Sequence, residues 1–166
     1  TGKPLSPMRL IHDLGKIAIP SELLEKNGPL TNEEFNQIKS HTYYTYRILD
    51  TIGDLRHIAE WCSHHHERFD GSGYPFRLQE DEIPSCSRII SVADVFTALT
   101  EDRPYRKGLD SVKTLKIIEE MSNEAALDNN IVEILINHYD NINELRKLAQ
   151  EKSIKKYQQV MINEAE

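Results

Sequence analysis

Apolar residues recur three and four apart along almost the whole chain, whereas strict alternation over five or more positions is nearly absent. That pattern predicts an all-α fold. A short helix is expected over Met8 to Leu14, stopping at Gly15, and another from Ser21 to Glu25 ahead of the Asn27-Gly28-Pro29 turn. Thr31 and Glu34 have the spacing of a capping box, so a long helix should begin there, run to about Thr51 and end at Gly53. A further helix is expected from about Leu55 to Glu67. The stretch from Phe69 to Pro75, with Gly71, Gly73 and Pro75, cannot continue a helix and reads as a shaped loop. Pro84 then opens the most apolar helix, about Ser85 to Thr100, expected to be central and to be broken off by Pro104.

Amphipathic helices are expected over Ser111 to Met121 and Ile131 to Tyr139. From Asn141 to Glu166 the chain reads as a charged helix with a thin apolar stripe: Ile142, Leu145, Leu148, Ile154 and Val160. Such a segment packs loosely, projects into solvent, or leads to another domain or partner chain. The expected organisation is one domain over residues 1–140 and a helical extension over 141–166.

Composition narrows the function. With 166 residues the chain is about one domain long. Its formal net charge of −7 argues against a general nucleic-acid surface, which needs a basic field. A small anionic substrate remains compatible if positive charge is concentrated locally. No apolar run is long enough to cross a bilayer, Thr1 to Pro7 lacks a signal-peptide core, and Cys62 and Cys86 make no disulfide framework. A cytoplasmic, reduced setting is expected.

The candidate chemistry lies between His12 and Asp94. Here stand His12-Asp13, His41, His65-His66 and Asp94, a mixture of imidazoles and carboxylates that suits iron, manganese or zinc and leaves positions open for water. A hydroxide held between such metals attacks phosphate esters. Lys16, four residues after His12, would face the phosphate oxygens or that hydroxide. Asp94, among Ile89, Ile90, Val92, Ala93, Val95 and Phe96, is costly unless paired or metal-bound. Singly, each residue also has a plainer reading: His41 as a hydrogen-bonded helix residue, His64 to His66 as a solvated helix end, Asp13 as a cap, Asp94 as a partner of Arg88.

Taken together, His12-Asp13-Leu14-Gly15-Lys16, His41, the run from His65 through Glu67, Arg68, Asp70 and Gly71 to Gly73-Tyr74-Pro75, and Ala93-Asp94 with Asp102-Arg103-Pro104-Tyr105-Arg106 resemble the HD-GYP domains of the HD phosphohydrolase superfamily. The likeness runs from about residue 10 to 108. It implies a helical domain that holds transition metals, usually iron or manganese, and hydrolyses cyclic di-GMP to pGpG or GMP. By position it implies metal ligands His12, Asp13, His41, His65, His66 and Asp94, with Asp13 and Lys16 catalytic. Gly73, Tyr74, Arg103 and Arg106 would bind substrate, the Gly71-Ser72-Gly73 turn letting backbone approach a nucleotide.

Two departures stand out. Relatives carry a further His upstream, and trinuclear ones a Glu near it, yet none of the eleven residues before His12 is either. An omitted N-terminal helix or an incomplete shell is therefore expected, with two metals rather than three. Thr97 stands where many relatives have Asp. A homodimer, or an attached sensor or receiver domain, fits the C-terminal helix. Against the cyclic di-GMP reading stand a hydrolase for another nucleotide and a non-catalytic signalling domain.

Overall fold

Local signals place most of the helices. The computed structural model describes residues 11–102 and 106–163, and among these the regular structure is helical, in seven α-helices and three short 3-10 turns. The helices are α1 (Ser21–Leu24), α2 (Asn32–Asp50), α3 (Arg56–Ser63), α4 (Ser85–Thr100), α5 (Ser111–Asn123), α6 (Asn129–Asn137) and α7 (Tyr139–Asn163). The 3-10 turns are Leu14–Ala18, Gly53–Leu55 and Glu80–Glu82.

Caps explain several boundaries. Thr31 Oγ1 accepts from the Glu34 N–H while the Glu34 carboxylate accepts from the Thr31 N–H, so the expected capping box starts α2. Asp110 caps α5 and Asp128 caps α6, each through a carboxylate oxygen on first-turn amides.

Two expected boundaries move, and the end of α2 falls within a residue of the expected one. Gly15 lies inside the 3-10 turn Leu14–Ala18 instead of ending a helix, and Met8 to Leu10 lie outside the described residues. A Cβ on Gly15 would collide with the His41 carbonyl and the Thr45 amide, so glycine is needed there because two backbones touch. Helix α2 stops at Asp50, and Gly53 opens the following 3-10 turn. Helix α3 ends at Ser63, which leaves His64, His65 and His66 in the turn beyond it. The break after Thr100 matches the expected end of α4, while Pro104 lies outside the described residues.

Packing proceeds in chain order. The turn Leu14–Ala18 and α3 both lie on α2, α4 joins α3 to α5 and α6, and α7 meets α6. Two apolar clusters result. The smaller gathers Leu49, Ala59 and Cys62, flanked by Ile11, Leu14 and Tyr46. The larger gathers Val92, Phe96, Ile118, Leu127, Val132 and Leu135, with Tyr139 and Ile142 of α7 against it. Beyond that first stretch α7 leaves the body: Leu145, Leu148 and Ile154 are exposed. Helix α4 buries Val92 and Phe96 but turns Asp94 to a half-open face, so it is two-sided rather than wholly central. No described helix is long and apolar enough to cross a membrane.

Candidate metal centre

Four elements deliver side chains to one place. The segment before Leu14 brings His12 and Asp13, α2 brings His41, the turn after α3 brings His65 and His66, and α4 brings Asp94. Ligand atoms of His41, His65 and His66 lie within 4.8 Å of one another, and so do those of His12, His65 and Asp94. Asp13 joins the two groups. Its Oδ1 lies 3.3 Å from His41 Nε2, its Oδ2 lies 3.4 Å from His12 Nε2, and Asp94 Oδ1 lies 3.6 Å from the same His12 atom.

One buried hydroxyl ties the His12-Asp13 segment to α2. Thr45 Oγ1 accepts from the Gly15 N–H at 2.8 Å and donates to the His12 carbonyl at 3.2 Å. Both backbone groups are thereby satisfied without water, and His12 is presented at a set distance from His41 one turn away. The small Gly15 permits this approach.

Helix geometry orients two rings. His41 Nδ1 bonds the Ile38 carbonyl at 2.7 Å, and His65 Nδ1 bonds the Cys62 carbonyl, each three residues back. Donation to a carbonyl puts the proton on Nδ1 and leaves the Nε2 lone pair facing the site. His65 Nε2 is buried without a hydrogen-bond partner, and His41 Nε2 faces a carboxylate oxygen without making a hydrogen bond to it. A lone pair facing a carboxylate is repulsive unless a cation lies between them. The donor set of imidazole nitrogens and carboxylate oxygens fits transition-metal ions. Because an imidazole nitrogen offers one lone pair, His65 could serve only one ion, whereas the two oxygens of Asp13 could serve two.

The charges are arranged accordingly. Burial alone would lower the His12 pKa, but the Asp13 and Asp94 carboxylates outweigh it and lift the group to about 9. Burial and the neighbouring His41 push His66 down to about 4, and burial with its neighbours His66 and His12 holds His65 well below the ordinary histidine value. Although burial opposes it, Asp13 is held well below the usual carboxylate range, chiefly by His12 and Lys16. Lys16 Nζ lies 2.6 Å from Asp13 Oδ2, so its charge is shared with the ligand set.

The remaining expected residues fall in different places. Tyr74 stands at the edge, its ring 4.9 Å from His66 and tilted by 32°, and burial beside Asp13 and Asp94 keeps its hydroxyl protonated. Gly73 is buried against Glu67 and Arg68, where a Cβ would meet backbone, so the space it saves is taken by the loop's own chain. Arg106 donates from Nη2 to the Ala98 carbonyl near the end of α4. Arg103 lies outside the described residues. His64 packs against Phe76 at 5.1 Å, away from both ligand groups. Arg88 does not pair with Asp94: it reaches Asp128 at 3.2 Å and the carbonyls of Ile83 and Glu80.

Sequence reasoning missed Thr45 and the role of Glu67. The buried Glu67 carboxylate accepts from the Phe76 N–H at 2.7 Å and the Leu78 N–H at 3.0 Å, and so holds the loop that carries Tyr74. A Glu directly after paired histidines and before a Gly-rich loop was the available signal, since a loop of that length needs an internal acceptor.

The sequence matches the HD domain family over residues 5–131. This chain is an HD domain. Among curated relatives, a cyclic di-GMP phosphodiesterase of Thermotoga maritima is 45% identical over 114 residues, covering 68% of this chain and 31% of the relative. A cyclic di-GMP phosphodiesterase of Pseudomonas aeruginosa is 40% identical over 112 residues, 67% of this chain and 27% of its own. A 3'3'-cGAMP-specific phosphodiesterase of Vibrio cholerae is 40% identical over 111 residues, 67% and 24%. The HD domain described here thus spans between about a quarter and a third of these relatives. With its His65-to-Pro75 run it is of the HD-GYP type.

Proposed function

We propose that this HD domain hydrolyses a phosphodiester bond of a cyclic dinucleotide, cyclic di-GMP foremost, to pGpG or GMP, using two transition-metal ions, iron or manganese. One observation carries the reading: six side chains from four separate elements converge, and two of the rings, His41 and His65, turn an Nε2 with no hydrogen-bond partner into the cluster, which is unfavourable without a cation to meet it. His12, Asp13 and Asp94 would hold one ion, His41, His66 and Asp13 the other, and His65 one of the two. Bound there, the metals would supply Lewis acidity at the phosphoryl oxygens and a means of activating water at neutral pH.

The chain's own groups do the rest. Asp13 holds the two halves of the site together, with Lys16 fixing its outer oxygen and adding positive charge for the developing phosphate charge. Tyr74 offers a protonated hydroxyl at the rim. Arg106 gives one of its N–H donors to the Ala98 carbonyl and would have the others for a phosphate, and Arg103 is retained as a phosphate contact on the motif alone.

The relatives divide between cyclic di-GMP and 3'3'-cGAMP at similar identity, which supports the substrate class more strongly than one member of it. The deciding experiment is metal analysis of the purified chain, then incubation with each cyclic dinucleotide in manganese or ferrous iron. Linear dinucleotide or mononucleotide product supports the reading. Bound metal with neither dinucleotide turned over sinks it and leaves a hydrolase for another nucleotide or a non-catalytic binding domain.

A further inference from the structure

Lys39 lies on α2 two residues before His41, half-buried in a chain of net charge −7. Its Nζ sits over the Phe35 ring at 4.6 Å and over the Tyr74 ring at 5.2 Å. Among the described ion pairs it has no carboxylate partner, although Lys16, Lys26, Lys107 and Lys113 all do. Two aromatic faces therefore fix this ammonium without neutralising it. Contacts locate it: His41 lies against His66, His66 against Tyr74, and Tyr74 under Lys39, which sets the charge at the rim of the metal centre.

Resting on the cyclic-dinucleotide reading, we propose that Lys39 forms, with Phe35 and Tyr74, an anion subsite for the phosphodiester that is not being cleaved. A cyclic dinucleotide carries two phosphodiesters, and only one can occupy the metal centre. The second keeps its negative charge beside the acidic body of this domain. Of the two lysines beside the site, Lys16 is paired with the Asp13 carboxylate, whereas Lys39 is held by aromatic faces alone and is ready for an oxyanion. An ammonium's compact charge on a flexible stem suits a phosphate whose position differs between two ring conformations. Lys39 touches no ligand atom, so it acts on substrate position and not on metal retention.

The test compares Lys39→Met, which keeps the stem against Phe35 and Tyr74, with wild type on two substrates in manganese. One is cyclic di-GMP, with two phosphodiesters; the other is bis(4-nitrophenyl) phosphate, with one. The expected result is a KM for cyclic di-GMP raised about 10-fold, as for one lost charge-assisted hydrogen bond, with kcat within about twofold. Both constants for bis(4-nitrophenyl) phosphate and the metal content stay at wild-type values, Lys39→Arg restores most of the affinity, and Lys39→Gln repeats the loss. An unchanged KM for cyclic di-GMP in both Lys39→Met and Lys39→Gln overturns the subsite alone. Equal losses on both substrates, or loss of metal, also overturn it, since Lys39 would then be acting through Tyr74 or the fold. A wild type that cleaves bis(4-nitrophenyl) phosphate but neither cyclic dinucleotide overturns the substrate reading beneath it.

Discussion

Asp94 is the carboxylate that α4 contributes to the centre, and it faces His12 at 3.6 Å. Asp94→Ala should lose bound metal and reduce phosphodiesterase activity at least 100-fold while the helices remain, because the residue is half-open and not part of either apolar cluster. Elemental analysis beside circular dichroism checks both halves of that expectation, and normal metal content would remove Asp94 from the ligand set. The histidines set a pH dependence in chelator-treated protein. His66, at about 4 in the fold against an ordinary 6.5, takes up a proton on unfolding anywhere between those values, so stability is lost as pH falls from 6.5 towards 4. His12, at about 9, holds a proton that the unfolded chain gives up above 6.5, so its contribution is present below 6.5 and lost as pH rises through 9. The metal-free melting temperature should therefore peak near pH 6.5. A monotonic rise or fall across pH 4 to 9 would show that one of the two groups is misplaced.

At the scale of elements, the devices that matter are small residues and buried acceptors at the joints. Gly15→Ala places a Cβ in the backbone of α2, and overpacking of that kind costs roughly 1–3 kcal/mol. It should also push His12 away from His41, so urea melts and metal content fall together; an effect on stability alone would disconnect the turn from the site. Glu67→Gln retains one acceptor oxygen for two loop amides and should destabilise by about 1–3 kcal/mol while loosening the Tyr74 loop. Faster amide exchange confined to residues 73–79, with metal still bound, is the expected signature. Much of the element layout was legible in advance. The Thr31–Glu34 box, Pro84 and the Gly71-to-Pro75 loop are local signals, and local backbone chemistry decides them. The stop at Gly15 was misplaced because a glycine reads alike whether it ends a helix or admits a neighbouring backbone. Where α3 ends is decided by the turn that follows Ser63, and no Gly or Pro marks it.

Over the whole molecule, the centre draws its side chains from helices of both apolar clusters, since α2 and α3 serve the smaller and α4 the larger. Metal bound there would link both halves of the fold. Saturation at about 100 times the dissociation constant should raise stability by roughly 2.7 kcal/mol, and chelation should remove it. Thermal melts with and without chelator measure this, and identical curves would mean that the ring nitrogens stay unligated in solution. Helix α7 stands apart from this coupling beyond its first turns, with Leu145, Leu148 and Ile154 exposed.

The order of residues along the chain already determined the donor types, their approximate helices and the loop chemistry, because those depend on side-chain identity and short-range hydrogen bonds. Only the tertiary structure decided that His65 and not His64 turns inward, that Thr45 clasps the His12 segment, that Arg88 pairs with Asp128, and that Lys39 rests on Tyr74. Each of those outcomes depends on which surfaces are buried against one another across long stretches of chain, and burial decides which polar groups must find a partner and which charge is left to meet a substrate.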